Sequence, residues 1–158
     1  MDETTGDSAH ETLPVFQLIY RSQSRIPSYQ RRVELGDVFT TARRNNKRLG
    51  VTGALMVSDD LFVQTLEGDE PVVRDLYLRI AADARHEHVT LLKEEFVGER
   101  TFGRWAMAKV SEDGGSDIRL LSNATKGVIV AVPGAGPNIT AEQEAILASM
   151  RDWLAAEA

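Results

Sequence analysis

Two apolar runs, Val51 to Val57 and Leu61 to Leu66, are separated only by Ser58-Asp59-Asp60, and this pairing constrains the chain more than any other feature. Runs of that length joined by so short a polar connection read as two antiparallel strands of a hairpin. A helical pattern flanks the hairpin on each side. Val33 to Arg48 carries Leu35, Val38, Phe39 and Ala42 at helical spacing, and Gly50 stops it. Glu70 to Ala84 carries Val72, Val73, Leu76, Tyr77 and Ile80 on one face. Val15 to Tyr20 reads as a strand, followed by a polar loop from Arg21 to Gln30 that is broken at Pro27. Val89 to Val97 and Trp105 to Val110 read as two more strands. The order is β-α-β-β-α-β-β, with no internal repeat. Right-handed crossovers place both helices on the same side of one sheet. The expected fold is therefore α+β, a ferredoxin-like βαββαββ sandwich with two helices on one face of a mixed five-stranded sheet. Such a fold hosts many functions and selects none.

The chain divides into a polar, acidic leader over residues 1–12, a domain over 13–112 and a C-terminal extension over 113–158. In the extension, Asp113-Gly114-Gly115-Ser116 and Pro133-Gly134-Ala135-Gly136-Pro137 are breaks around a short apolar run, Val128 to Val132. A helix is expected over 140–157, opened by a capping-box pattern at Thr140 and Gln143. Its stripe of Ile146, Leu147, Met150, Trp153 and Leu154 suits packing on the bare face of the sheet, and suits a partner or dimer surface as well.

Composition narrows the classes of function. At 158 residues the chain can bury a real core as one domain. A formal net charge of -6 argues against nucleic acid and anionic membrane as the main partner. With no cysteine there is no disulfide framework and no thiol chemistry, which fits a cytoplasmic protein. No apolar run is long enough to span a bilayer, and the leader lacks the basic start and apolar stretch of a signal peptide. His86 and His88 have no cysteine or third histidine nearby in sequence, so no metal site is expected.

Gln64 is the residue that points to chemistry. It is an amide inside the run Phe62-Val63-Gln64-Thr65-Leu66, which otherwise reads as buried. Leaving a buried amide unpaired costs about 1–3 kcal/mol, so partners are required. Tyr20 at the end of the first strand, Asn45-Asn46 near the end of the first helix, and Trp105 and Met107 on the last strand are the candidates. None is a strong acid or base at neutral pH. Tyr20, Asn45-Asn46 and Gln64 also have plainer readings: a tyrosine at a sheet end, a helix C-cap, and a glutamine on an edge strand facing water.

At this point a resemblance enters. Leu18-Ile19-Tyr20-Arg21-Ser22, Asn45-Asn46, Gly50-Val51-Thr52-Gly53, Phe62 to Gly68, Asp83-Ala84-Arg85-His86 and Arg100 to Met107 occur in order. Together they resemble a BLUF domain, the flavin-based blue-light sensor, over Val15 to Val110. The resemblance implies a flavin, usually FAD with FMN and riboflavin as alternatives, held between the two helices. It implies Val38 and Ile80 on the faces of the ring, Tyr20 as electron and proton donor, and Gln64 as the switching amide. Asn46 resembles the asparagine on the polar ring edge, with Asn45 beside it. Asp83, Arg85 and His86 resemble residues near the ribityl and phosphate side, a part for which Lys47 and Arg48 are further candidates. Trp105 and Met107, two apart on one strand face, resemble the sensor of the glutamine change; which is nearer Gln64 stays open.

The function so implied is light sensing and not enzymatic turnover. No stretch for a cyclase or phosphodiesterase domain follows Ala158, so the expected output is a downstream protein partner or a homo-oligomer, without nucleic acid or membrane. A flavin-binding redox enzyme and a ferredoxin-like binding module without flavin are the alternatives.

Overall fold

Strand β1 (Val15–Ser24) turns successive side chains to opposite faces, and two cores grow from that alternation. Phe16, Leu18 and Tyr20 belong to one buried cluster, whereas Ile19 belongs to the other. The computed structural model describes residues 14–25, 30–58, 60–111, 117–123, 127–131 and 140–155. The leader, Pro27, Asp59, the breaks at 113–116 and 133–137, and the end of the last helix beyond Ala155 lie outside the described residues.

After β1 come helix α1 (Arg31–Leu49), β2 (Thr52–Ser58), β3 (Leu61–Gly68), helix α2 (Glu70–Ala81), β4 (His86–Val97) and β5 (Ala108–Ser111). The extension adds β6 (Ile118–Asn123), β7 (Gly127–Ala131) and helix α3 (Ala141–Ala155). The sheet runs β4-β1-β3-β2-β5-β6-β7. Strands β1 to β4 pair antiparallel, β5 lies parallel to β2 and to β6, and β6 pairs antiparallel with β7. The first five strands and two helices form the mixed, ferredoxin-like α+β arrangement that the sequence predicts. The sheet does not stop at five strands, because β6 and β7 extend the β5 edge to seven. Ile118, Arg119 and Leu120 alternate, but Leu121, Ser122 and Asn123 do not continue the pattern, which hides β6 in the sequence.

Both crossover helices pack on the Tyr20 face, where Phe39 of α1 and Val73 of α2 are buried. The opposite face receives α3. Leu147, Met150 and Leu154 are buried there against Ile19, Ala54, Met56, Val63 and Ile118, with Ile146 and Trp153 packed at the margin. Burying a side chain of this size contributes about 1.5–3 kcal/mol, enough to dock a helix with a modest stripe. The start of α3 is fixed by a reciprocal capping box. Gln143 N donates to Thr140 Oγ1 at 3.0 Å, and Thr140 N donates to Gln143 Oε1 at 3.2 Å.

Several boundaries differ from those the sequence predicts. Strand β1 continues to Ser24, through the first four residues expected in the polar loop. Strand β4 begins at His86 instead of Val89, because β1 is long enough to pair Gln23 with Glu87 and Ser24 with His86. The pairing is irregular between Arg21 and Gln23, and His88 sits at φ 53° beside that shift. Helix α2 ends at Ala81, which frees Asp83 from the helix. Strand β5 starts at Ala108, so Trp105 and Met107 precede it.

Gly53 of β2 faces the β3 backbone with no room for a side chain. A Cβ on it would lie 1.9 Å from the Thr65 carbonyl oxygen, an impossible contact that the backbone must relieve. Gly53→Ala is expected to lower the unfolding free energy by about 2 kcal/mol or more, read from urea denaturation. An unchanged midpoint would show that the β2–β3 pair has room to spread.

Candidate functional site

Tyr20 and Gln64 are direct cross-strand partners in the β1–β3 register. Their side chains meet on the helix face, where the Tyr20 hydroxyl donates to Gln64 Oε1. Gln64 Nε2 in turn donates to Met107 Sδ at 3.3 Å. Both residues are buried, at 1 % and 5 % exposure. Strand β3 lies between β1 and β2, so Gln64 is on an interior strand and not on a wet edge. A primary amide offers two N–H groups and two lone pairs. The bonds to Tyr20 and Met107 use one N–H and one lone pair, which leaves polar capacity for a ligand.

Burial holds the Tyr20 phenol far above its ordinary pKa of 10.0, with smaller contributions from Tyr77 and Asp83. The Tyr77 ring lies 5.5 Å from that of Tyr20, between centroids, in a tilted contact. Tyr20 is therefore a neutral hydrogen-bond donor throughout the physiological range.

Above this pair, α1 and α2 leave a cavity of about 200 Å³. Of the residues singled out in the sequence, Tyr20, Val38, Asn45, Asn46, Gln64, Ile80, Asp83, Arg85 and His86 all line it, and Arg48 does too. Helical periodicity explains how α1 contributes. Val38, Ala42, Asn45 and Asn46 recur at the three- and four-residue steps that face one way. From α2, Leu76 and Ile80 follow the same rule. Val38 and Ile80 are half-buried, one on each helix. The walls are therefore aliphatic and the strand end is polar. A flat heteroaromatic ligand with donors and acceptors along one edge matches that division.

The mouth of the cavity is ionic. Asp83 receives the Arg85 guanidinium at 2.7 Å and the Arg85 backbone N–H at 2.9 Å. The Arg85 hydrogen bond is the main reason the Asp83 carboxyl is lowered to about 2. Arg48 and Arg79 line the same rim. His86 Nδ1 lies 3.0 Å from Ser22 Oγ, and its ring packs edge-on against Phe62. Burial lowers its pKa, so the imidazole favours the neutral form.

Trp105 and Met107 are not brought together. They stand in an irregular segment before β5, so the two-residue strand period does not apply to them. Met107 is buried with Tyr20 in the helix-side core, whereas Trp105 packs on the α3 side. Of the two, Met107 is the one that reaches Gln64. Their shared strand face, expected from sequence, is thus corrected. The segment passes from one face of the sheet to the other with its carbonyls held one after another. Gly53 N donates to Trp105 O at 3.1 Å, Asn46 Nδ2 to Ala106 O at 2.8 Å, and Arg43 Nε to Met107 O at 3.1 Å. Asn46 therefore has a structural duty besides facing the cavity.

The sequence alone does not single out several contributors. Phe62 lines the cavity, and it shares the Gln64 face by strand period. Thr41, Leu55 and Arg79 also line it. Arg43 carries no motif signal. Glu67 appears within a motif, yet its task is visible only in three dimensions. It is fully buried, and its carboxylate accepts from Thr101 N at 2.6 Å, Phe102 N at 2.9 Å, Thr52 Oγ1 at 3.1 Å and Gln17 Nε2 at 3.1 Å. Four donors compensate a buried charge that would otherwise be costly. They also tie the end of β3 to the loop that leads into Trp105 and Met107.

The family described as BLUF, sensors of blue-light using FAD, matches residues 15–108. The chain is 36 % identical over 110 residues to photoactivated adenylate cyclase subunit beta of Euglena longa, covering 69 % of this chain and 12 % of that protein. It is 34 % identical over 90 residues to the blue light- and temperature-regulated antirepressor BluF of Escherichia coli, covering 57 % of this chain and 22 % of that protein. The chain thus spans a small part of these curated relatives. Among solved structures it resembles BlsA in a photo-activated state, with TM-score 0.60, 33 % identity and coverage of 63 % and 71 % of the two chains. It also resembles the dark state of BlrB, a BLUF protein, with TM-score 0.58, 31 % identity and coverage of 61 % and 71 %.

The buried phenol makes an alkaline prediction. The folded pKa of Tyr20 is raised, so above about pH 10 the unfolded chain loses a proton that the folded chain keeps. Stability contributed by neutral Tyr20 is full below that pH and falls as pH rises, by about 1.4 kcal/mol per pH unit. Urea unfolding of wild type should therefore weaken more steeply above about pH 10 than unfolding of Tyr20→Phe. Equal slopes would mean that Tyr20 ionises as freely as in the unfolded chain.

Proposed function

This chain belongs to the BLUF family of blue-light sensors, and from that premise we propose that Tyr20, Gln64 and Met107 form its photoactive relay. The observation that carries the proposal is the buried chain of contacts from the Tyr20 hydroxyl through the Gln64 amide to Met107 Sδ. The family binds a flavin, and the cavity's residues fit one. Val38 and Ile80 would flank the ring, and Asn45, Asn46 and Gln64 would meet its polar edge. Arg48, Arg79, Arg85 and His86 would face the ribityl and phosphate end. FAD is the flavin we propose, supported by the family's description. The basic rim suits its phosphates.

When bound, the flavin supplies absorption of blue light and an excited ring able to accept an electron and a proton. Tyr20 is the donor in this proposal. Its neutral O–H provides both, and the proton leaves along the bond to Gln64 Oε1. Gln64 then rotates or tautomerises, so that it presents an acceptor where it presented a donor. Its bond to Met107 Sδ is the weakest member of the chain and the first to be exchanged. Recombination restores Tyr20 while Gln64 keeps the new arrangement until the dark state returns. Only an electron, protons and hydrogen bonds change place, so no bond between heavy atoms need break for the light to be recorded.

The output in this proposal goes through a protein partner or a second copy and not through turnover in this chain. The likeness to the cyclase subunits extends over 12 % of their length, which supports a shared sensing part and not a shared output. Phe96 and Leu91, exposed along β4, offer apolar surface for a protein contact. No helix among the described residues is long and apolar enough to cross a membrane. A cytoplasmic location rests on the cysteine-free composition.

Purified protein should carry non-covalent, oxidised flavin and show a small, reversible red shift under blue light. Tyr20→Phe and Gln64→Leu should each keep the flavin and lose the shifted state, because each removes a hydrogen-bonding group while keeping most of the volume. Absorption spectra before and after illumination decide this. A normal light response in either variant would assign the switch elsewhere.

A further inference from the structure

Arg43 is placed as no motif of the sequence requires. It sits one turn before Asn46 on α1, with its guanidinium 5.1 Å from the centre of the Phe39 ring. From there it donates in two directions. Its Nε reaches the Met107 carbonyl at 3.1 Å, and its terminal nitrogen reaches Asp117 Oδ2 at 2.9 Å. The same Asp117 oxygen accepts the backbone N–H of Lys109 at 2.8 Å. Asp117 lies beyond the residues that the family describes, which end at 108. It immediately precedes Ile118, which is buried in the α3-side core.

A continuous set of contacts therefore leads from Gln64 to Met107, from the Met107 carbonyl to Arg43, and from Arg43 to Asp117 in the extension. We propose that Arg43 is a positioning residue that, anchored by Asp117, sets Met107 against Gln64, so that the extension tunes the light response from outside the family domain. This rests on the relay proposed above and adds a control over it. The fork of an arginine is what the geometry needs. Lysine at 43 keeps the charge for Asp117 but loses the planar pair of N–H groups that serves both acceptors at once. The pair is partly exposed, with 43 % of the Arg43 and 36 % of the Asp117 side chain accessible. Ion pairs of that kind contribute little to folding. Loss of Asp117 should therefore disturb the placement of Met107 without unfolding the protein.

The test uses the full chain loaded with flavin and labelled at the methionine methyl groups, with the Met107 resonance assigned from Met107→Leu. Arg43→Leu, Arg43→Lys and Asp117→Asn should all move the Met107 signal in the dark, although Asp117 does not touch that side chain. Each should also change the rate of dark recovery by about threefold or more. The double variant Arg43→Leu/Asp117→Asn should match Arg43→Leu alone, as expected of residues acting in series. If Asp117→Asn leaves both the Met107 signal and the recovery rate as in wild type, the proposal is overturned. It is equally overturned if Arg43→Lys restores both, because charge alone would then suffice. A wild type that binds flavin yet shows no shift in light would sink the relay, while the dark methyl signal still decides whether Asp117 and Arg43 position Met107.

Discussion

The register between β1 and β3 is the constraint on which the rest depends. Side chains alternate along a strand, so a slip of one residue would send Gln64 to the α3 face and bring Thr65 to the cavity. The register is held at both ends. At one end, Phe16 is opposite Gly68, and Glu67 is locked by its four donors. At the other, Ser22 pairs with Phe62, and the Ser24 backbone N–H reaches Asp60 O. Between these ends the alternation does two tasks at once. Leu66 and Phe62 fill the helix-side core, whereas Val63 and Thr65 serve the α3 side.

Glu67 explains why the irregular segment from Arg100 to Met107 can be placed so closely beside the cavity. Loops do not hold side chains to a fraction of an ångström unless their backbone is tied down. Here the amides of Thr101 and Phe102 end on Glu67, and the carbonyls of Trp105, Ala106 and Met107 end on Gly53, Asn46 and Arg43. Arg100 adds bonds to the carbonyls of Gly50 and Glu67. The same segment meets α3, because Gln143 Nε2 donates to the Thr101 carbonyl at 3.0 Å. Gln143 thus caps its own helix and fastens that helix to the loop beside the cavity.

Much of this was legible in the sequence, for identifiable reasons. The hairpin, both crossover helices and the capping box are written in local patterns, which the tertiary contacts reinforce. Asn45 and Asn46, Val38, and Ile80 reach the cavity because helical periodicity fixes which way they face. What the sequence could not display was any feature requiring a path between distant elements. The strand period assigned Trp105 and Met107 to one face, but the chain there is not a strand. Strand β6 borrows its order from pairing with β5 and β7, not from its own residues. Arg43 looks like any cation on an amphipathic helix until Asp117 and Met107 arrive beside it from more than sixty positions along the chain.

A switch of this kind also needs unequal partners on its two sides, and the site has them. On one side Gln64 meets a buried phenol, which burial keeps protonated and which therefore only donates within the working range of pH. On the other it meets a thioether, a weak acceptor on a flexible side chain. Exchanging the donor and acceptor of the amide conflicts with the phenol, whose O–H must find a new acceptor, but costs little at the sulfur. In the proposed relay the stronger partner would define the two states of Gln64, and the weaker one would yield between them. On that proposal, yielding at Met107 would act on a backbone whose carbonyl is held by Arg43, and through Arg43 on Asp117, next to the core beneath α3. Two discrete packings, and not a gradual deformation, are what such a tightly held segment allows.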